Sequence, residues 1–164
     1  MAVRLPEVAV GHLRSMLFYK LTPECCGDFG RRTLYAGELA TRPPTIHRLE
    51  YEFKSWPTDH LVEVNCQFIG TKELVLALAQ LQPRPTGLHY DPVGTVNTLE
   101  MRREQPGREL PEYKWFRITG RPGKDDFGMS PDHSLVISER VLNAIQPMME
   151  KCHVAIYVEP APAG

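Results

Sequence analysis

Two segments of this sequence align without a gap at a spacing of 67 residues, and each reads as a strand running directly into a capped helix. Phe68 falls on Leu135, Ile69 on Val136, Thr71 on Ser138, Leu74 on Val141, Ala77 on Ala144 and Leu78 on Ile145. In both, a short apolar run meets a hydroxyl residue, after which aliphatic side chains recur at helical spacing. The hydroxyl of Thr71 or Ser138 is suited to accept a bond from an amide of the first helical turn. Glu73 and Glu139 put a carboxylate near each helix start, where it complements the dipole. The same spacing sets Asp59 on Asp126 in the loops ahead of the units. Duplication into two similar lobes is one reading; the other is that any capped amphipathic helix after a strand resembles any other. Both make Thr71 and Ser138 caps, not nucleophiles.

Around these units, fifteen prolines cut the chain into short elements. His47 to Lys54 alternates strictly, with Leu49, Tyr51 and Phe53 on one face and Arg48, Glu50, Glu52 and Lys54 on the other. That period predicts a strand with one buried and one wet face. Met16–Leu21, Gly87–Tyr90, Val93–Met101, Tyr113–Thr119 and His153–Glu159 are further predicted strands. Residues 22–32 and Gly120–Pro131 are expected as loops. Pro83 and Pro85 end the first helix, and Pro147 ends or kinks the second, because proline donates no backbone bond. The fold class that follows is α+β: one mostly antiparallel sheet with two short helices packed on one side. Residues 1–160 are expected as a single domain, divisible into lobes 1–100 and 101–160, and 161–164 as a tail.

A chain of 164 residues buries roughly 70% of its extended surface, enough for a core without staples. Hydrophobic residues make up 42%, which is globular composition. Nineteen basic against twenty acidic residues give a formal charge of -1, which argues against broad binding to nucleic acid or an anionic membrane. Met1 to Pro6 lacks the basic and apolar pattern of a secretory leader. The longest aliphatic run, Leu74 to Ala79, is too short to span a bilayer. Cys25, Cys26, Cys66 and Cys152 do not form a secreted disulfide pattern, so a reducing cytoplasm is expected.

No residue spacing calls for a metal or a cofactor. Cys25-Cys26 is a vicinal pair without nearby histidine, which reads as a loop thiol pair. Asp59-His60 and Asp132-His133 each offer a carboxylate beside a general base. Adjacent residues on a strand point to opposite faces, however, and candidate nucleophiles and oxyanion donors are missing. Asp-Phe-Gly occurs at 28–30 and 126–128 without the companion segments of a kinase, so both copies are expected to be turns. Trp56 stands just beyond the alternating strand, as a core lid or as an exposed anchor beside Asp59. Trp115, in mid-strand, is expected in the core.

From the alternating strand the order continues through Trp56, Asp59 and Leu61 to Phe68-Ile69-Gly70-Thr71 and its helix. Thr86-Gly87-Leu88-His89-Tyr90, Leu110-Pro111-Glu112-Tyr113-Lys114-Trp115, Asp126-Phe127 and Leu135-Val136-Ile137-Ser138-Glu139-Arg140 follow. This order resembles the bacterial immunity proteins of polymorphic toxin systems, in the family named for a myxobacterial immunity protein. The resemblance covers about residues 47–146. It implies a stoichiometric inhibitor, without catalytic residues, that binds one cognate toxin in the cytoplasm of the producing cell. Trp56, Asp59, His60, Asp125, Asp126 and Asp132 are the residues expected to meet the toxin, as an acidic surface plugging a basic cleft. The competing readings are a small enzyme using an Asp-His pair and a homo-oligomeric scaffold.

Overall fold

The computed structural model describes residues 17–38 and 43–160. The predicted tail at 161–164, Met16 of the first predicted strand and the segment Met1 to Pro6 lie outside the described residues. Among the described residues five strands come first: β1 (Phe18–Thr22), β2 (Gly27–Phe29), β3 (Leu34–Ala36), β4 (Thr45–Arg48) and β5 (Glu50–Phe53). The first repeated unit is β6 (Leu61–Val64), β7 (Gln67–Thr71) and α1 (Lys72–Ala79). It is followed by β8 (Leu88–Asp91), β9 (Gly94–Asn97), α2 (Leu99–Glu104) and β10 (Tyr113–Ile118). The second unit is β11 (Phe127–Met129), β12 (Leu135–Ser138) and α3 (Glu139–Ile145). A 3-10 turn, Gln146–Met148, leads to β13 (His153–Ile156).

The fold is α+β and mostly antiparallel. The strands make two four-stranded sheets, ordered β6-β7-β10-β8 and β11-β12-β1-β13, a three-stranded sheet β2-β5-β9 and a ribbon β3-β4. One sheet was expected, but apolar residues on both faces of β6, β7 and β10 require two cores. Leu61, Phe68 and Phe116 join Leu74 and Leu78 of α1, Val141 and Ile145 of α3, and Leu135 and Ile137 of β12 in the first core. From the opposite face Val62, Ile69, Tyr113 and Trp115 meet Leu49, Tyr51 and Phe53 in the second. The β6-β7-β10-β8 sheet is therefore the middle layer, and neighbouring residues in its strands are buried on opposite faces: Leu61 and Val62, Phe68 and Ile69, Trp115 and Phe116. Leu49, Tyr51 and Phe53 are fully buried, as their period predicts.

Several elements differ from expectation. The alternating strand is broken at Leu49 into β4 and β5. Glu50, expected in water, is buried. Its Oε1 accepts the Arg32 N–H at 3.1 Å, and a Cβ on Gly30 would stand 2.3 Å from that oxygen. Neither Asp-Phe-Gly copy is a turn: Asp28 and Phe29 lie in β2, and Phe127 and Gly128 in β11, so the two predicted loops each contain a strand. Val93 to Met101 is not one strand, because Thr98 caps α2 by accepting the Met101 N–H and stops β9. Among the described residues there are three helices where two were expected.

Both predicted caps form. Thr71 Oγ1 accepts the Leu74 N–H at 3.2 Å and Ser138 Oγ accepts the Val141 N–H at 3.4 Å. The match of the two units extends to their sheets. β10 pairs with β7 from Tyr113 opposite Thr71, and β1 pairs with β12 from Phe18 opposite Ser138, so the caps occupy the same register position. β8 adds beyond β10 as β13 adds beyond β1. The division at residue 100 fails topologically, since β10 completes the sheet of β6 to β8 while β1 completes the sheet of β11 to β13. Thr71→Ala and Ser138→Ala are each expected to destabilise by about 1–2 kcal/mol, read as a lowered urea midpoint with unchanged slope. A loss below about 0.3 kcal/mol would mean that the caps contribute little.

Candidate partner-binding surface

The hairpin registers correct one detail of the repeat. Leu61 faces Gly70 and Phe127 faces Ile137, so Leu61 corresponds to Phe127, a step of 66, while β7 and β12 are a step of 67 apart. One extra residue in the loop between β11 and β12 accounts for the difference. His60, not Asp59, is therefore the counterpart of Asp126. Hydrogen bonding agrees: the Thr71 N–H donates to the His60 C=O at 2.9 Å, and the Ser138 N–H to the Asp126 C=O at 2.9 Å. The side chains match as well. Thr71 Oγ1 lies 2.7 Å from His60 Nδ1, and Ser138 Oγ donates to Asp126 Oδ1 at 2.7 Å. Residue 60 and residue 126 thus each make a hydrogen bond with the hydroxyl that caps the helix of their unit.

Each unit is also clasped by the segment that follows the other unit's helix. After α3, the Met148 C=O accepts the His60 N–H at 3.1 Å. Asp59 then takes three successive amides: Glu150 at 2.6 Å, Lys151 at 2.9 and 3.0 Å, and Cys152 at 2.9 Å. After α1, the Thr86 C=O accepts the Phe127 N–H at 3.0 Å, and the Thr86 N–H donates to Asp126 Oδ2 at 2.9 Å. Arg140 closes that joint with Nε at 3.0 Å and Nη2 at 2.8 Å from the Asp126 carboxylate. Burial alone would raise the Asp126 pKa, but the bonds from Arg140, Ser138 and Thr86 outweigh it and hold the carboxyl below its usual value.

These contacts place the six expected partner residues at four separate places. Asp59 is 3% exposed with both oxygens occupied, so it braces the joint and does not face a partner, a correction to its expected role. Asp126 is likewise committed to Arg140, with its side chain 13% exposed. His60 is half-buried behind its cap. Asp125 accepts the Arg121 N–H at 2.7 Å, closing its own loop. Asp132 stays open to solvent, ion-paired to Lys20 and accepting from Ser130, and those bonds lower its pKa. Beside it, His133 adopts φ 65° in the turn. The carboxylates are spread over the body and form no single acidic plug.

Trp56 is at the fourth place, half-buried against the second core. Its Nε1 donates to the Met101 C=O at 3.3 Å, and the Arg108 guanidinium lies 4.3 Å from the ring centre. Arg108 also lines a cleft of about 440 Å³ with Val96, Asn97, Arg102, Gln105 and Leu110. Arg102 donates to the Asn97 C=O at 2.6 Å and to its Oδ1 at 3.1 Å. Val96 and Leu99 are exposed at this cleft's border strand and helix. Arg102 and Arg108 were missed in the sequence, where they belong to a polar stretch without periodicity. Only the stacking of Arg108 on Trp56 marks it out.

Cys25 is exposed and Cys26 buried, and burial first, then Glu24, pushes the Cys26 thiol up to about 12. Among the described residues, no three His, Cys, Asp or Glu gather as metal ligands, and no helix is long and apolar enough to cross a membrane. No protein-family model matches this chain, and no curated protein matches it.

Proposed function

We propose that this chain is a binding protein that neutralises a cognate toxin in the producing cell's cytoplasm, with Trp56 and Arg108 anchoring the contact surface. The observation that carries the reading is the use made of the two Asp-His pairs. Asp59 is saturated by backbone amides and His60 Nδ1 meets the cap hydroxyl of Thr71, while Asp132 is tied to Lys20 and Ser130. Neither carboxylate orients its neighbouring imidazole, which a general base of that kind requires. The order of motifs over residues 47–146 supplies the toxin-system part of the proposal.

A tryptophan held by Met101 and covered by an arginine is a preorganised contact of the kind that dominates interface energetics. Arg102 and Arg108 line the cleft together with Glu109, so this surface offers two guanidinium groups to acidic groups of a partner and one carboxylate to a basic one. Co-expression with the product of the neighbouring gene is expected to rescue cells, and the purified proteins to form a one-to-one complex. Arg108→Glu should weaken that complex at least tenfold while leaving the melting temperature within a few degrees. Absence of both rescue and binding would refute the reading. Loss of a catalytic activity on His60→Ala or His133→Ala would favour the enzyme alternative instead.

A further inference from the structure

One wall of the cleft beside Trp56 is a strand. β9 is the outer strand of the sheet β2-β5-β9 and pairs in parallel with β5. The Gly94 N–H donates to the Leu49 C=O at 3.0 Å and the Thr98 N–H to the Phe53 C=O at 3.1 Å. Alternate residues of a strand bond to opposite neighbours, so Gly94, Val96 and Thr98 address β5 while the backbone groups of Thr95 and Asn97 turn to the other side. That side is the cleft, which Thr95, Val96 and Asn97 line together with residues of α2 and of the segment after it. Arg102 Nη1, on the Asn97 C=O at 2.6 Å, holds that carbonyl within it. Among the described residues no strand pairs with this side of β9. The Thr95 N–H and C=O and the Asn97 N–H are therefore placed to continue a ladder.

The charges in the cleft are a second, separate observation. Arg102 bonds the Asn97 C=O and Oδ1, and Arg108 bonds Gln105 Oε1, so both guanidinium groups meet neutral acceptors. Among the described residues the ion pairs involve Lys20, Lys54, Lys72, Arg117 and Arg140, and neither of these arginines. A guanidinium fork matches the geometry of a carboxylate and binds it more strongly than a neutral amide oxygen. Glu109 is the carboxylate that lines the same cleft, and it opposes an incoming anion, one negative group against two positive.

We propose that this cleft receives an extended acidic segment of the partner protein, which adds to β9 as a further strand and sets a carboxylate against Arg102 and Arg108. The proposal rests on the reading of the Trp56 and Arg108 surface as the partner contact. The Thr95 N–H and the Asn97 N–H donate to the segment and the Thr95 C=O accepts from it, and Arg102 on the Asn97 C=O ends the ladder there. Backbone bonds supply affinity in strand addition, and side chains beside the edge supply specificity. Val96, 38% exposed, offers an apolar contact to a neighbouring side chain of the segment. A small anion would satisfy the two guanidinium groups but not the edge of β9, which is why the occupant is a peptide.

Titration of the isotope-labelled full chain by nuclear magnetic resonance tests this, with a capped peptide of alternating valine and glutamate as the probe. Saturable shifts are expected at the Thr95 and Asn97 amides and at the Nε–H groups of Arg102 and Arg108. The same peptide with glutamine for glutamate should bind about fivefold more weakly. Arg102→Gln and Arg108→Gln should each weaken the glutamate peptide about threefold or more without moving the melting temperature by more than a few degrees, and Glu109→Gln should tighten it about twofold. Equal binding of the two peptides overturns the proposal, as does acetate alone reproducing the shifts at Thr95 and Asn97. So does the absence of saturable shifts at those amides, including a cleft already filled by another segment of this chain. The titration needs no toxin: a failed titration with rescue intact overturns the acidic segment alone, and a failed rescue with the titration intact overturns the toxin reading alone.

Discussion

Asp59→Ala is expected to destabilise the fold by about 4 kcal/mol, the largest effect of any single polar substitution considered. The carboxylate binds the amides of Glu150, Lys151 and Cys152 in one cradle at 2.6–3.0 Å. Hydrogen bonds to a charged group contribute about 1.5–3 kcal/mol each, and leaving a buried donor unpaired costs about 1–3 kcal/mol. Water reaches Glu150 and Lys151 more easily than Cys152, so the sum is reduced from its upper bound. Against a typical total of about 5–15 kcal/mol this is a large fraction. Asp59→Asn keeps one acceptor oxygen and should lose about half as much. Urea unfolding followed by Trp56 and Trp115 fluorescence measures both, and a loss under about 1 kcal/mol for the alanine variant would show that the cradle is not a joint of the fold.

Arg140→Ala is expected to lose about 2–3 kcal/mol at neutral pH, because it leaves the Asp126 carboxylate half-satisfied at the joint with Thr86. Here the pH dependence separates the pair from generic packing. Burial acts to raise the Asp126 pKa, yet the bonds from Arg140, Ser138 and Thr86 lower it overall. A carboxyl whose folded pKa lies below its unfolded value contributes stability that is complete above about pH 4–5 and is lost as pH falls through the folded pKa. The native chain should therefore weaken more steeply than Asp126→Asn between neutral and strongly acidic solution. The cost of Arg140→Ala should shrink over the same range, since the orphaned carboxyl can take up a proton. A double-mutant cycle between Arg140→Ala and Asp126→Asn should show coupling of about 1 kcal/mol or more; additive losses would mean that the two side chains do not act together.

Both predictions concern residues that the sequence marks as notable but for a different reason. Asp59 and Asp126 stand out as carboxylates in matching loops, and an acidic surface is a natural expectation for them. What they do depends on amides 91 to 93 residues away for Asp59 and on Thr86, 40 residues away, for Asp126. No local pattern carries that information. The correspondence of His60 with Asp126 is equally hidden, because an imidazole and a carboxylate share no sequence likeness although both can accept a bond from a cap hydroxyl. The pairing of Trp56 with Arg108 spans a comparable distance and shows only once α2 and its following turn are in place.

The amino-acid order alone determined the caps at Thr71 and Ser138, the helices behind them, and the buried set Leu49, Tyr51 and Phe53. Those features rest on periodicity and on hydrogen bonds closed within three or four residues, so their physics is written in neighbouring side chains. Tertiary structure alone decided that β10 and β1 complete opposite sheets, that the middle sheet is covered on both faces, and that each unit is clasped from beyond the other's helix. Such choices are made by burial and by backbone groups meeting across long separations, where the alternatives differ in packing and not in local propensity.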